Sequence, residues 1–435
     1  MPSVAFHTLG CKVNQYDSQA MLELFEQAGY DLRDFSQIAD VYVVNTCTVT
    51  GTGDKKSLNA VRRCLRQNPA AEVVIAGCLA QRDGEKLLQT GARLVIGNAR
   101  RHEVVSLLEE AIAKGQRVAA VGDILRVPYE PLTISRHEGH TRAVLKIQEG
   151  CDRYCTYCII PYVRGGIRSR QPGDIRAEAE RLSAAGFSEL VLTGIHLTSY
   201  GRDLENAGLT DAIRACGVPG IRRIRLGSLE PVIVTEDFVR QLQLEARVCP
   251  QFHLALQSGS DAVLRRMRRR YSTGDFRQAA RLLRQAFPGC ALTTDVITGF
   301  PGETEAEFAE TLAFCRETGF ARMHVFPYSA RQGTPAAQMP GQVPKALREE
   351  RARQLIALGN ELARAYCAAQ IGCTVQVLAE ETEEGIARGY TAQYIPCEFP
   401  GGQPGMLYDV AVTGLSGDGL TGRIAGCGPE KDTIS

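Results

Sequence analysis

The chain has 435 residues, with 50 lysines and arginines against 49 aspartates and glutamates, a net charge of +1, and 15 cysteines. That length sustains two or three domains of about 100 to 200 residues, and near-neutrality excludes a global pull toward nucleic acid, so any RNA contact must come from local basic patches. No apolar run approaches the roughly 20 residues of a membrane span, no signal-peptide pattern opens the chain, and cysteines at this density in a large chain predict reduced thiols in a cytoplasmic protein without a membrane partner.

The first 121 residues alternate strand-like apolar runs at 3–9, 41–45, 73–76 and 94–96 with amphipathic helical stretches at 15–28, 54–67 and 102–114. This is the pattern of a parallel α/β domain. Cys11, Cys47 and Cys78 each fall just past the end of a strand, in Thr-Leu-Gly-Cys, Val-Asn-Thr-Cys and Ile-Ala-Gly-Cys. Open α/β sheets place ligands at that edge, so three loops of one sheet bring three thiols to one rim. Cys64 sits inside a helical run and reads as a buried small residue.

Residues 122–138 lose periodicity and read as a linker. A second α/β series occupies 139–370, with strands expected at 143–148, 190–193, 221–226, 252–256, 292–297 and 323–327 and helices between them. Six βα units predict a partial barrel with its site at the strand C-terminal ends. The first strand runs into Cys151, Cys155 and Cys158, spaced Cys-x3-Cys-x2-Cys. Three thiolates without a fourth cysteine suit a cubane iron-sulfur cluster with one open iron. A closed zinc site wants four ligands, and His140 is the nearest candidate for the fourth. The other strand ends carry Thr193, Gly194, Ser228, Glu230, Gln257, Ser258 and Tyr328, with Asp295 inside the fifth strand. Together these predict a nucleotide-sized ligand.

After a helix expected at 345–369, short β-rich segments at 374–378, 387–394, 406–412 and 420–424 with frequent glycines predict a small antiparallel β-barrel over 371–435. Its net charge is −6, which leaves +7 on the first 370 residues.

Two cysteine trios, an α/β domain, a six-unit barrel and a terminal β domain together resemble a methylthiotransferase of the radical S-adenosylmethionine (SAM) superfamily, over nearly the whole chain. The runs Thr-Leu-Gly-Cys-Lys-Val-Asn-Gln-Tyr-Asp-Ser at 8–18 and Val-Val-Asn-Thr-Cys-Thr-Val-Thr at 43–50 resemble the branch acting on N6-threonylcarbamoyladenosine in tRNA. Relatives acting on isopentenyladenosine typically have Gln-Met where this chain has Lys12-Val13. The terminal domain is similar to a TRAM domain.

The resemblance implies two 4Fe-4S clusters, an auxiliary one on Cys11, Cys47 and Cys78 carrying the transferred sulfur and a radical-generating one on Cys151, Cys155 and Cys158. SAM would serve as radical source and methyl donor, and the methylthio group would go to carbon 2 of the modified adenosine at position 37. A flavodoxin- or ferredoxin-type electron donor and a sulfur source are implied as well. Basic residues following the cluster loop (Arg164, Arg168, Arg170) and in the run 264–271 (Arg265, Arg266, Arg269) are the expected phosphate contacts. Tyr390 and Tyr394 are candidates for base stacking or for ordinary strand packing. Competing readings are a methylthiotransferase acting on isopentenyladenosine or on a ribosomal protein aspartate, and a non-enzymatic zinc-bearing RNA-binding protein.

Overall fold

The computed structural model describes residues 1–49 and 51–426. Thr50 of the second motif and the acidic Glu430 and Asp432 lie outside them. The chain begins β1 (Ser3–Thr8), α1 (Lys12–Gln27), β2 (Asp31–Arg33), β3 (Val41–Thr46), α2 (Gly51–Gln67), β4 (Glu72–Gly77), α3 (Cys78–Asp83), β5 (Leu94–Ile96), α4 (Val104–Ala113) and β6 (Val118–Ala120). The strands form a parallel six-stranded sheet in the order β2-β1-β3-β4-β5-β6. Its central strands are buried on both faces, and Val43, Val44, Val74 and Ile75 are fully shielded, which is why they read as continuous apolar runs. Register sets Thr8 opposite Asn45 and Thr46 opposite Gly77. The three strand ends that precede Cys11, Cys47 and Cys78 are therefore level.

The barrel follows as β7 (Ala143–Glu149), α5 (Ile160–Arg164), β8 (Arg168–Ser169), α6 (Pro172–Ala184), β9 (Glu189–Gly194), α7 (Leu209–Ala215), β10 (Arg223–Leu226), α8 (Glu236–Gln243), β11 (Gln251–His253), α9 (Asp261–Arg266), α10 (Thr273–Ala286), β12 (Ala291–Thr298), α11 (Glu305–Thr318), β13 (Arg322–Pro327) and α12 (Lys345–Ala368). β7, β9 and β10 pair in parallel, as do β11, β12 and β13. The two sets are joined by bridges Ile224↔Val248 and Leu229↔Leu254. The six parallel strands make an open barrel, with β8 added antiparallel at the β7 edge. Local sequence signals set the helix ends. In α11 the Thr304 hydroxyl accepts from the Glu307 N–H at 3.3 Å, the Glu307 carboxylate accepts from the Thr304 N–H at 2.8 Å, and Gly319 closes the helix at φ +63.

The last five strands, β14 (Thr374–Glu383), β15 (Ile386–Thr391), β16 (Pro396–Pro400), β17 (Leu407–Ser416) and β18 (Gly419–Ile424), close into a barrel. Its ladders are antiparallel except for a parallel β16–β18 pair. The proline-bounded β16 carried no alternation long enough to be read from sequence, and it is the strand that lets the sheet close. The barrel docks on the N-terminal ends of the larger barrel's strands. Arg225 donates to the carbonyls of Ala392 (2.9 Å) and Thr391 (3.3 Å), and Arg223 to those of Gln376 and Tyr390.

α1 belongs to two cores at once. Met21 and Phe25 pack under the first sheet, while Tyr16 and Ala20 join the core of the barrel. Tyr16 is wholly buried, and its hydroxyl lies 2.9 Å from both the Leu132 carbonyl and Glu178 of α6. Beside it, Asp17, Arg101, Glu130, Lys146, Glu149 and Arg164 form one buried ion network. Asp17 pairs with Arg101, Lys146 and Arg164, and Glu149 with Arg164 at 2.9 Å. Arg101 reaches Glu130 at 2.7 Å. The first sheet, the linker and β7 are thus locked in one arrangement.

Tyr16→Phe keeps the shape and removes the one proton that the hydroxyl can donate to Glu178 or to the Leu132 carbonyl, leaving a buried acceptor short of it. The expected loss is about 1 to 3 kcal/mol in urea unfolding, and an unchanged midpoint would show that the hydroxyl contributes nothing.

Candidate active site

Cys11 is the residue that caps α1, and the chain reaches it through Gly10 at φ +107. A side chain at Gly10 would bring its Cβ within 2.9 Å of the Cys47 Cβ, so glycine is what lets the two loops touch. Asn14 fastens them further, donating to the carbonyls of Leu9 (2.6 Å) and Thr46 (3.0 Å). Cys78 opens α3, whose Leu79 N–H donates to the Thr46 hydroxyl at 3.2 Å. The three thiols predicted to share a rim do so. Cys64 is buried in α2 with its thiol 3.2 Å from the Ala60 carbonyl, away from them.

The second trio lies on the loop between β7 and α5. Gly150 at φ +74 lies against the Gly166 carbonyl, where a side chain would clash. The loop is pinned by the Cys151 N–H on the Gly165 carbonyl (2.9 Å), the Cys158 N–H on the Cys155 carbonyl (2.9 Å), and Thr156 on Met267 and Arg266. Above it Gln148 ties the end of β7 to β9: its amide donates to the Glu149 and Gly150 carbonyls, both at 2.7 Å, and accepts from the His196 N–H at 2.7 Å.

A short helix joins the trios. α5 begins two residues after Cys158 and packs on α3, with Ile159, Val163 and Cys78 in one apolar cluster. It ends at Arg164, which donates to the Cys78 sulfur at 3.2 Å. Arg269 does the same for the second trio, donating to the Cys155 sulfur at 3.2 Å. Burial raises the thiol of Cys11, and pushes Cys151 to about 11 and Cys158 to about 12. Ligation of such thiols therefore releases protons. A guanidinium held against one sulfur of each trio suits a thiolate-bound, electron-accepting group, so the donor chemistry fits an iron-sulfur cluster at both places. Among the described residues no three His, Cys, Asp or Glu side chains converge on a point that a single ion would fill. The His140 ring lies against that of His137, with centroids 4.2 Å apart and the planes tilted by 51°.

A cavity of about 1060 Å³ opens beside Cys11 and is walled by all three parts of the chain. Lys12 and Gln15 enter from α1, Asp295, His324 and Phe326 from the barrel, and Tyr390 and Tyr394 from the last β-barrel. The two tyrosines stack at 4.7 Å, and the Arg142 guanidinium lies 4.9 Å from both rings. They are neither exposed stacking platforms nor ordinary strand packing, but the floor of this cavity. Burial opposes ionisation of Tyr394, yet Arg142, Lys12 and Arg225 hold its phenol below the ordinary value. The Tyr394 ring is flanked by cations, while Glu380, Glu381 and Glu398 also line the cavity.

The sequence pattern of the Radical SAM superfamily matches residues 145–315, and that of the Uncharacterized protein family UPF0004 matches residues 3–97. The threonylcarbamoyladenosine tRNA methylthiotransferase MtaB of Bacillus subtilis (strain 168) is 43% identical over 410 residues, covering 92% of this chain and 91% of its own. The MtaB of Thermotoga maritima is 36% identical over 97% of this chain and 96% of its own. The chain belongs to the radical SAM tRNA methylthiotransferase family. A tRNA-2-methylthio-N(6)-dimethylallyladenosine synthase of Parafrankia sp. (strain EAN1pec) is 40% identical over 88% of this chain and 78% of its own. Among solved structures, the radical S-adenosylmethionine methyltransferase TsrM from Kitasatospora setae, with cobalamin and a 4Fe-4S cluster bound, shares the fold. Its TM-score is 0.57 at 14% identity, over 89% of this chain and 81% of that one.

In this methylthiotransferase Thr193 and Gly194 end β9, Ser228 lies two residues past β10, and Gln257 lies past β11 at φ +66. Glu230 is buried beside the His196 ring at 3.3 Å and pairs with Arg153 at 3.2 Å and Arg269 at 2.8 Å. Burial alone would raise its carboxyl, but the neighbouring His196 and the Arg269 and Arg153 charges hold it at about 2. His196 and Arg153 were not singled out from sequence, because each acts through a carboxylate far along the chain. Three expected cofactor contacts point elsewhere. Ser258 is buried against the Thr311 hydroxyl (3.3 Å), Tyr328 packs on Phe300, and Asp295 faces the cavity beside His253 (3.3 Å).

The expected phosphate contacts also need correction. Arg164 is fully buried in the ion network, Arg168 donates to the carbonyls of Ile124 and Arg164 at 3.0 Å each, and Arg170 pairs with Glu178 at 2.6 Å. Arg269 is occupied by Glu230 and Cys155, and Arg266 by Glu307 at 2.7 Å. Of these six only Arg265 is exposed, along with Arg268 and Arg270 of the same run. On the cluster loop Tyr154 is exposed and on α5 Tyr162, edge to face at 5.7 Å.

Arg164→Met leaves Asp17 and Glu149 undercompensated in the interior and should cost about 3 to 5 kcal/mol in urea unfolding. Arg265→Ala should stay within about 0.5 kcal/mol of the parent. Equal effects would show that the two arginines do not differ in environment.

Proposed function

We propose that this methylthiotransferase adds a methylthio group to carbon 2 of N6-threonylcarbamoyladenosine at position 37 of tRNA, in the cytoplasm. The observation that carries the reading is the joining of two thiol trios by α5, with a cavity large enough for a nucleoside opening beside Cys11 of the first. The relatives named for threonylcarbamoyladenosine support the substrate. Dimethylallyladenosine is the second reading, favoured by the similarity to the Parafrankia enzyme.

Cys151, Cys155 and Cys158 would hold the 4Fe-4S cluster that binds SAM, and Cys11, Cys47 and Cys78 a second one carrying the sulfur. Bound there, these groups supply a radical able to remove an unactivated hydrogen and a sulfur to take its place, which no side-chain base supplies. The chain's own residues orient and shield. Arg269 and Arg164 place a positive charge against one sulfur of each trio. Gln148 fixes the first turn of the cluster loop. Glu230, paired with Arg153 and Arg269, sets Arg269. Thr193, Gly194, Ser228 and Gln257 would border SAM. Arg265, Arg268 and Arg270, with Tyr154 and Tyr162, would meet the tRNA. A low-potential electron donor of flavodoxin or ferredoxin type and a sulfur source complete the requirements.

Mass spectrometry of tRNA nucleosides from cells with and without this gene tests the substrate. Loss of 2-methylthio-threonylcarbamoyladenosine is expected, and its persistence contradicts the reading. After anaerobic reconstitution, Cys11→Ala and Cys151→Ala should each retain about half of the iron and acid-labile sulfide. Unchanged iron in Cys11→Ala would remove the second cluster from the account.

A further inference from the structure

Lys12 follows Cys11 directly and lines the cavity, with its ammonium 6.0 Å from the centre of the Tyr394 ring. Arg142 and Arg225 flank the same ring at 4.9 and 4.8 Å. Each of these arginines has its own carboxylate, Glu380 at 2.7 Å for Arg142 and Glu189 at 2.8 Å for Arg225. Lys12 has none among the described residues, and Asp295 on the opposite wall is engaged by His253. The cavity floor therefore carries one cation without a counterion, next to a thiol of the first trio. Lys12 is exposed to this open cavity, so its ammonium is accessible to an anion brought there.

The chemistry of the base says which anion fits. In adenine, carbon 2 and carbon 6 flank N1, so a substituent on N6 lies along the same edge as the carbon 2 hydrogen. A base presenting carbon 2 to Cys11 presents that substituent to the residue beside Cys11. A threonylcarbamoyl group carries a carboxylate, whereas a dimethylallyl group is purely apolar and offers the ammonium nothing to pair with. Sites built to pair a polar group reject analogues that lack it. Resting on the substrate proposed above, we infer that Lys12 is the specificity-determining residue that binds the carboxylate of the N6 substituent.

The test uses the anaerobically reconstituted holoenzyme and three synthetic anticodon stem-loop RNAs, bearing threonylcarbamoyladenosine, its methyl ester, or dimethylallyladenosine. Wild type should bind the acid about tenfold or more tighter than the ester, the scale of one charge-assisted hydrogen bond. Lys12→Gln should abolish that ratio with iron content unchanged, and Lys12→Arg should keep most of it. The inference is overturned if wild type does not distinguish acid from ester, or if Lys12→Gln still does. Tightest binding of the dimethylallyl RNA by wild type would instead overturn the substrate reading, and the subsite with it.

Discussion

Six buried charges hold this molecule in its working shape. Asp17 on α1, Arg101 and Glu130 from the first sheet and the linker, Lys146 and Glu149 on β7, and Arg164 on α5 are all shielded from water, and their formal charges cancel. Buried pairs add little net stability against an apolar alternative, but breaking one is costly. Here that asymmetry has a structural consequence. The first sheet cannot shift against the barrel without stranding at least one charge, so the spacing of the two thiol trios is set by electrostatics as well as by packing.

The network also connects to the chemistry. Arg164 divides its donors among Asp17, Glu149, Asn14 and the Cys78 sulfur, and Asn14 is the residue that ties the Cys11 and Cys47 loops together. One side chain thus reports the position of the barrel to the rim of the other sheet. The last β-barrel has a comparable part at the opposite end. Its net acidity opposes long-range attraction to RNA, and Glu380 is spent on Arg142 within the protein. The turn that Arg223 and Arg225 grip closes the barrel from below and gives the cavity its aromatic floor.

Much of this was legible in the sequence where the signal is local. The spacing of Cys151, Cys155 and Cys158 is itself the geometry of a ligand loop. The strand-end positions of Cys11, Cys47 and Cys78 follow from the parallel-sheet rule, and the ladder register brings them level. What stayed hidden depends on residues distant in the chain. Arg164 looked like a phosphate contact because a sequence displays a charge but not its counterion, which lies 147 residues away in Asp17. Arg170 has a counterion only eight residues on, Glu178, but the pairing depends on how α6 folds back on β8. Tyr390 and Tyr394 look like strand residues of a separate domain, and only the docking of that domain turns them into a cavity floor. Lys12 stood in the motif from the start, but its lack of a counterion is a property of the folded chain.

The central claim is that the two trios are two separate cluster sites held in fixed relation by the buried network. Anomalous diffraction at the iron absorption edge, from crystals of anaerobically reconstituted protein, tests it most directly. The account predicts two iron peaks, one bounded by Cys11, Cys47 and Cys78 and the other by Cys151, Cys155 and Cys158, with Arg164 against the first and Arg269 against the second. A single iron peak, or metal at either trio that scatters as zinc, would contradict it.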